Sequence, residues 1–199
     1  MKFMERVFMD PPRRMKSSQF DLLKPPGGAI VFLGDSITEW GAWQEWFPGT
    51  LVVNRGIGGD TTEGVLKRLD AAIDGPAGVF LLVGTNDLAL RVPVGDIMAR
   101  HREIIEQIGI RAPRAWLTVQ SVMPRQRKFR DRIQVLNENL ERIAAEVGAT
   151  YLDLWPLLDD GTGQLKPRYT EDGLHLNGLA YREWAAKLAP IVEKCTQPR

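Results

Sequence analysis

The chain has 199 residues, 44% of them hydrophobic, which is enough for one domain with a sizeable core. Its 26 basic and 25 acidic residues nearly cancel, so the overall charge does not favour nucleic acid or an anionic membrane as a partner. The single cysteine, Cys195, excludes an intrachain disulfide, and no histidine lies near it in sequence, which indicates a non-catalytic thiol.

The N-terminal segment does not read as a targeting signal. Glu5, Arg6 and Asp10 interrupt its apolar residues, which excludes the continuous apolar core of a secretory signal. No stretch of the sequence reaches the roughly 20 apolar residues that a membrane helix needs. We therefore expect a cytoplasmic protein without membrane insertion, in which residues 1–27 form an extension that packs on or trails from a domain spanning 28–199.

Short apolar, β-branched segments alternate with amphipathic helical segments along the rest of the chain. The predicted strands are 29–34, 51–56, 78–84, 115–121 and the weaker 150–154. The predicted helices are 61–73, 94–110, 130–148 and about 178–194. This alternation is typical of a parallel sheet covered on both faces, so we predict a doubly wound α/β fold of about five strands.

Four polar segments stand out against this pattern. Three follow predicted strands, namely GDS at 34–36, RGIGGDTT at 55–62 and GTND at 84–87, and the fourth, DGLH at 172–175, precedes the last helix. Ligands of doubly wound sheets bind outside the carboxyl ends of the strands. We therefore expect the first three segments at one edge of the sheet.

Ser36 has two interpretations. It could cap the helix that follows the first strand, a role for which Thr38 competes. It could also be a nucleophile, which would require a histidine base. The preceding Asp35 could orient the loop by accepting hydrogen bonds from nearby amides.

Only two histidines could serve as that base. His101 lies between Arg100 and Arg102 on a predicted helix and is interpreted as a plain surface histidine. His175 follows Asp172 by three residues, so a tight turn would let the carboxylate bind Nδ1–H. That bond orients the base of a Ser-His-Asp triad and leaves Nε2 for the serine proton. A purely structural Asp-Gly turn uses the same residues.

Hydrolysis of an ester also needs donors for the oxyanion of the tetrahedral intermediate. The amide of Gly59 can approach a substrate closely because no Cβ obstructs it. The side chain of Asn86 and the amide of Ser36 are the other candidate donors. Each segment is also compatible with a simple turn.

A metal site is not expected from the inventory of side chains. Carboxylates are available at Asp60, Asp87 and Asp172, with His175 as an imidazole. The chain offers no cysteine cluster and no second plausible histidine, and zinc prefers those ligands.

Four aromatic residues closely follow Ser36: Trp40, Trp43, Trp46 and Phe47. Their spacing favours a short helix packed on the core. Alternatively, one or two of these rings line the alcohol side of a pocket. On that hypothesis Asp35, Trp40 and Trp43 contact the substrate.

One basic run interrupts the balanced charge, and it comprises Arg125, Arg127, Lys128, Arg130 and Arg132. We interpret it as a solvated loop that leads into a helix, because solvated faces are where charge runs usually lie. Steering of an anionic substrate is the alternative.

Taken in order, the four polar segments resemble those of the SGNH hydrolases, the GDSL family of esterases and lipases, over residues 28–192. The family's defining residues fall on Ser36 as nucleophile, Gly59 as oxyanion amide, Asn86 as oxyanion side chain and His175 as base, and Asp172 completes the triad. Ile37 replaces the leucine of the family name, a volume-conserving change. Within the family, 54–69 and 83–87 look most like the catalytic subunits of the intracellular platelet-activating-factor acetylhydrolase and their bacterial relatives.

This resemblance implies a flavodoxin-like three-layer α/β/α sandwich, hydrolysis without a metal or other cofactor, and a preference for short acyl groups. The predicted function is a serine esterase that forms a covalent acyl-enzyme from an acetylated carbohydrate or other small molecule. A lysophospholipase or thioesterase for longer acyl chains, and a non-catalytic ligand-binding module, are the alternatives. The resemblance is also compatible with a homodimer.

Overall fold

A computed structural model describes residues 10–197 of the chain, and a five-stranded parallel sheet lies at its centre. The strands are β1 Ile30–Gly34, β2 Val52–Gly56, β3 Gly78–Leu82, β4 Trp116–Gln120 and β5 Thr150–Leu152. Their order in the sheet is β2-β1-β3-β4-β5, which is the flavodoxin-like arrangement. All five predicted strands and the predicted fold class are confirmed.

The register of the sheet aligns the ends of its central strands. Gly34 at the end of β1 lies level with Gly56 of β2 and Leu82 of β3. The chain reverses its direction of travel across the sheet between β1 and β3, and doubly wound folds bind ligands at that point. The loops after β1, β2 and β3 therefore begin side by side at the carboxyl edge of the sheet.

Helices cover both faces of the sheet. They are α1 Asp10–Leu22, α2 Ser36–Glu39, α3 Trp43–Trp46, α4 Thr62–Lys67, α5 Leu69–Ala72, α6 Thr85–Ala89, α7 Val94–Arg111, α8 Arg130–Glu146, α9 Trp155–Leu158 and α10 Gly178–Thr196. Short 3₁₀ turns lie at Arg127–Phe129 and Pro167–Tyr169. Across residues 10–197, no helix combines the length and the apolar content that crossing a bilayer would require.

The predicted helix 61–73 is wrong in one respect, since it is two helices that separate at Arg68. The backbone of Arg68 leaves the helical region at φ −115° and ψ 14°. Its side chain is buried and binds three groups in neighbouring segments, as described below. The break follows from these contacts because they hold Arg68 in place on the core side of the chain.

Alternate residues of β1 enter two separate cores. Val31 and Leu33 pack with apolar side chains of α4, α5, α7 and α8 on one face of the sheet. Ile30 and Phe32 pack with apolar side chains of α3, α9 and α10 on the other, and buried Cys195 belongs to this second core. The side-chain alternation of a strand thus builds the three-layer sandwich.

The N-terminal helix packs against the β2 side of the sandwich. Residues 1–9 of the predicted extension lie outside the described residues. Phe20 of α1 is buried, and the Arg55 guanidinium carbon lies 4.5 Å from the centroid of its ring. Arg55 also donates a hydrogen bond to the carbonyl of Leu23.

Trp43 belongs to the core, so the prediction that it lines a pocket is wrong. Its ring is fully buried and stacks on Phe32 with centroids 4.2 Å apart, while Trp184 meets it edge-on at 4.8 Å. Trp43 Nε1 donates to the carbonyl of Thr38 at 2.8 Å. Phe47 is also buried, whereas the side chain of Trp40 is 58% exposed.

This contrast predicts unequal costs for removing the two indoles. Trp43→Ala should lower the free energy of unfolding by about 3–5 kcal/mol, because it leaves a large cavity in a packed core. Trp40→Ala should cost less than about 1 kcal/mol, as exposed substitutions usually do. Urea unfolding measures both variants, and equal losses would contradict the assignment of Trp43 to the core.

Candidate active site

Ser36 and His175 meet at the carboxyl edge of the sheet. Ser36 begins α2 directly after β1, and His175 lies in the loop before α10, 139 residues away in the chain. Ser36 Oγ lies 3.0 Å from His175 Nε2. The described structure thus brings together the two groups that the sequence singled out.

Asp35, one residue before Ser36, caps α2. Asp35 has extended backbone angles, and its Oδ1 accepts a hydrogen bond from the Ile37 amide at 3.0 Å. The interpretation of Ser36 as the helix cap is therefore wrong, and the Ser36 hydroxyl faces His175. Asp35 is only 1% exposed, which leaves no surface for the predicted substrate contact.

The loop around His175 is built by Asp172. Asp172 Oδ2 lies 2.6 Å from His175 Nδ1, and Oδ1 accepts from the amides of Leu174 at 2.9 Å and His175 at 2.8 Å. Gly173 allows this tight turn because it adopts φ +74°. The carboxylate therefore orients both the ring and the backbone that carries it.

The charge on Asp172 fixes the tautomer of its partner. Partial burial opposes ionisation of Asp172, but the hydrogen bonds from the His175 ring, from its amide and from the Leu174 amide prevail. They hold the pKa of Asp172 well below its ordinary value. A carboxylate accepts hydrogen bonds only, so Nδ1 carries the proton and Nε2 of the neutral ring is free to accept one from Ser36.

The glycine pair after β2 offers one free amide at the site. The Gly58 amide donates to Glu39 Oε2 at 2.7 Å, while the Asp60 amide closes a turn onto the Ile57 carbonyl at 3.1 Å. Gly59, at φ +73°, donates its amide to no group among residues 10–197. Of the two glycines, Gly59 is thus the one whose amide is available to a ligand.

Asn86 joins the segment after β3 to the segment after β2. Its Nδ2 donates one hydrogen to the carbonyl of Asp60 at 2.8 Å and retains a second hydrogen. The side chain is half-buried. Ser36, Gly59 and Asn86 therefore come from three adjacent strand ends, and the hydrogen bond from Asn86 ties two of those ends together.

A buried ion pair that sequence reasoning missed lies beneath these loops. Arg68 Nε lies 2.7 Å from Asp60 Oδ2, and both side chains are 6% exposed. The other two guanidinium nitrogens donate to the carbonyls of Arg55 and Gly34, each at 2.9 Å. The sequence did contain a sign that Arg68 is buried. Arg68 follows Val65 by three residues, and this spacing places it on the apolar face of the predicted helix.

Asp87 forms a second buried contact between loops. Its Oδ1 accepts from the Thr62 hydroxyl at 2.6 Å and its Oδ2 from the Thr62 amide at 3.0 Å. Burial raises the pKa of Asp87, and the two hydrogen bonds from Thr62 oppose that rise. The Asn-Asp pair is therefore more than a turn, since its aspartate holds the start of α4.

The basic run is not a solvated loop at all of its positions. Arg125 is buried, donates to both the carbonyl and the hydroxyl of Thr85 at 3.1 Å, and stacks on Phe129 with its guanidinium carbon 4.1 Å from the ring centroid. Arg132 donates to the carbonyls of Leu88 and Val92 at 3.0 and 2.6 Å. These two arginines hold the segment around α6.

Trp40 lies against the candidate base. Its ring stacks on the imidazole of His175 with centroids 4.1 Å apart and an interplanar angle of 27°. Because more than half of the indole is exposed, it presents an open apolar face beside the site. Of the aromatic residues expected near the substrate, Trp40 is the one in this position.

The interpretation of His101 as a surface histidine is wrong. His101 is buried, and its Nε2 lies 3.1 Å from the carbonyl of Val83. Burial lowers its pKa to about 4, so it is neutral at physiological pH. The sequence carried the signal, since position 101 follows Ile97 by four residues and precedes Ile104 by three on the apolar face of α7.

The described residues, 10–197, contain no cluster of three or more His, Cys, Asp or Glu side chains that could hold a metal ion. The acidic side chains near Ser36 are instead engaged by protein donors. Asp60 binds Arg68, Asp87 binds Thr62, and Asp35 binds the Ile37 amide.

Comparison with known proteins identifies the class of this enzyme. The family model of GDSL-like lipases and acylhydrolases matches residues 32–183, so the chain belongs to that family and is an ester-hydrolysing enzyme. Platelet-activating factor acetylhydrolase IB subunit alpha2 of Bos taurus is 33% identical over 179 residues, which cover 82% of this chain and 75% of that protein. Subunit alpha1 of Homo sapiens is 29% identical over 163 residues, which cover 76% and 70%.

Solved structures share the whole fold. A Streptococcus pneumonia protein described as a platelet activating factor has a TM-score of 0.87 and 27% identity, and the match covers 95% of this chain and 96% of that one. A GDSL-like lipase from Bacteroides thetaiotaomicron VPI-5482 has a TM-score of 0.78 and 25% identity, with 92% and 97% covered. These similarities confirm the family that the four polar segments indicated.

The environment of Asp35 generates a prediction about pH. Burial raises the pKa of Asp35 from 3.8 to about 7, and the charges of Asp60 and Asp87 act in the same direction. The folded state thus keeps a proton that the unfolded chain releases near pH 4, so this group's contribution to stability is lost as pH rises from about 4 to 7.

Asp35→Asn removes the titration and retains a capping side chain. The free energy of unfolding of the variant, relative to wild type, should increase by on the order of 4 kcal/mol between pH 4 and 8. Urea unfolding at a series of pH values gives this difference. A difference that is independent of pH would contradict the raised pKa.

Proposed function

We propose that this protein is a serine esterase in which Ser36 is the nucleophile, His175 the general base and Asp172 the residue that orients the base. The observation that carries the proposal is the continuous contact from Ser36 Oγ through the His175 ring to the Asp172 carboxylate, with distances of 3.0 and 2.6 Å. The first distance suits proton transfer from Ser36 to His175, and the second suits a hydrogen bond by which Asp172 orients the ring. Family membership supplies the reaction class.

In the proposed reaction, His175 Nε2 takes the proton of Ser36 as Oγ attacks the carbonyl carbon of the ester. The ionised Asp172 stabilises the imidazolium that forms. His175 then gives its proton to the departing alkoxide as the carbon–oxygen bond breaks, which leaves an acyl-serine. A water molecule attacks this acyl group with His175 again as base, and Ser36 departs with the proton, so the acid is released and the enzyme is restored.

The negative charge of the tetrahedral intermediate requires preorganised donors. We assign this role to the amides of Ser36 and Gly59 and to the side chain of Asn86. The free Gly59 amide and the second hydrogen of Asn86 Nδ2 support the assignment. No cofactor is required for any step.

The proposed substrates are short-chain, above all acetyl, esters of a carbohydrate or another small molecule. The name of the relatives, acetylhydrolase, supports acetyl as the acyl group of the substrate. The exposed face of Trp40 supports a ring-shaped alcohol, because the leaving oxygen must lie near His175 Nε2, and Trp40 stacks on that imidazole. Longer acyl chains, as in a lysophospholipase or thioesterase, are the second candidate.

Ser36→Ala should reduce kcat on p-nitrophenyl acetate by at least about 10³-fold, because it removes the attacking oxygen. The wild-type protein should hydrolyse p-nitrophenyl acetate faster than p-nitrophenyl butyrate or octanoate. EDTA is present in all of these assays. Full activity of the alanine variant would contradict the mechanism. A preference for octanoate would contradict only the acetyl assignment and favour the second candidate.

Asn86→Ala should lower kcat by about 10²–10³-fold with a small change in KM, because loss of an oxyanion donor weakens binding of the transition state. Asn139→Ala is a matched control, since Asn139 is a half-buried asparagine of α8 that, like Asn86, donates from Nδ2 to a backbone carbonyl, that of Val135. If both variants retain the wild-type kcat, Asn86 does not donate to the oxyanion.

A further inference from the structure

The N-terminal helix reaches the loop that carries Gly59. Arg13 of α1 donates from Nη1 to the carbonyl of Gly59 at 2.8 Å, across 46 residues of sequence. Helix α1 precedes residues 32–183, the segment that matches the family. A side chain outside the family segment thus binds the backbone of a residue at the centre of the candidate site.

This contact restrains the peptide unit between Gly59 and Asp60, and it limits the Gly59 amide only through the backbone of Gly59. Gly59 has no side chain, so its backbone can adopt more conformations than that of any other residue type. It lies at φ +73°, in the left-handed region that favours glycine. A charge-assisted hydrogen bond to its carbonyl holds the peptide unit between Gly59 and Asp60, whose amide also closes the turn onto Ile57 at 3.1 Å. The Gly58 amide, bound to Glu39, holds the unit between Ile57 and Gly58. The unit that carries the Gly59 amide therefore lies between two restrained units.

Helix α1 makes a second contact with the same loop through Glu39. Lys16 Nζ lies 3.6 Å from Glu39 Oε1, and Glu39 Oε2 accepts from the Gly58 amide at 2.7 Å. Buried Phe20 anchors the helix against Arg55 at the end of β2. One helix therefore acts on both glycines, directly on Gly59 and indirectly on Gly58.

We propose that Arg13 is a positioning residue for catalysis, which holds the Gly59 amide in the direction that the oxyanion requires. The inference rests on the proposed function, in which that amide is an oxyanion donor. Arg13 bonds to the side of Gly59 that faces α1 and acts through the backbone of the loop. On this proposal, residues 10–22 contribute to catalysis because they position the loop that carries Gly59.

Arg14 provides a matched control for Arg13. It is the next residue of the same helix, and it is exposed. The side chains of Arg13 and Arg14 both line one surface cleft, which Lys67 also lines. Arg13→Met and Arg14→Met each remove one positive charge, so a long-range electrostatic effect would appear in both. Arg13→Lys retains a charge and a donor on a side chain of similar length.

The test measures kcat and KM on p-nitrophenyl acetate and the Kd of phenylboronic acid, whose adduct with a serine presents a negatively charged oxygen to the oxyanion donors. Arg13→Met should lower kcat about 10-fold and change KM by no more than about twofold. Complete loss of an oxyanion donor lowers kcat by roughly 10²–10³-fold, and a misoriented donor should cause part of that decrease. The Kd should rise by a similar factor. Arg13→Lys should recover most of the loss, and Arg14→Met should match wild type.

Wild-type kcat and Kd in Arg13→Met would overturn the proposal, and so would an equal loss in Arg14→Met. Thermal unfolding verifies that each variant is folded, and Arg13→Gln replaces the methionine variant if that one is not. Ser36→Ala, assayed in parallel, separates the two proposals. If it is inactive while Arg13→Met is unimpaired, the proposed function stands and only the role of Arg13 fails.

Discussion

A single buried guanidinium connects the parts from which the candidate site is built. Arg68 pairs with Asp60 and donates to the carbonyls at the ends of β1 and β2, Gly34 and Arg55. Buried backbone carbonyls need partners, and a buried charge needs a counter-ion, so each group in this cluster satisfies another. Loss of one partner would leave an uncompensated charge, which costs more than the intact pair contributes.

Two separate segments must also meet to bring Ser36 and His175 together. The loop of His175 is held by bonds within the loop itself, because Asp172 binds both the ring of His175 and the backbone amides. Its position relative to Ser36 depends on α10, where the Tyr181 hydroxyl donates to the Ile37 carbonyl at 2.6 Å. Helix α10, which follows His175, thus bonds directly to α2, which begins with Ser36, and this favours a preorganised pair.

The sequence predicts most of the fold and the candidate groups, because apolar periodicity marks the strands and a scarcity of histidines leaves few bases. It does not predict the contacts of Arg68, since two of its three hydrogen bonds go to backbone carbonyls of distant segments, which no side-chain pattern displays. The error at His101 was avoidable from helical spacing. The helix-cap alternative for Ser36 fails by a single position, because Asp35 and Ser36 are both good helix caps and only the backbone angles decide between them.

In the proposed mechanism, His175, oriented by Asp172, makes Ser36 a nucleophile. Covalent labelling with diethyl p-nitrophenyl phosphate, followed by peptide mass spectrometry, tests this mechanism. We expect one phosphoryl adduct per chain, located on Ser36, and labelling at least about 10³-fold slower in His175→Ala because the general base is missing. An adduct on another residue, or equal labelling rates in wild type and His175→Ala, would contradict it.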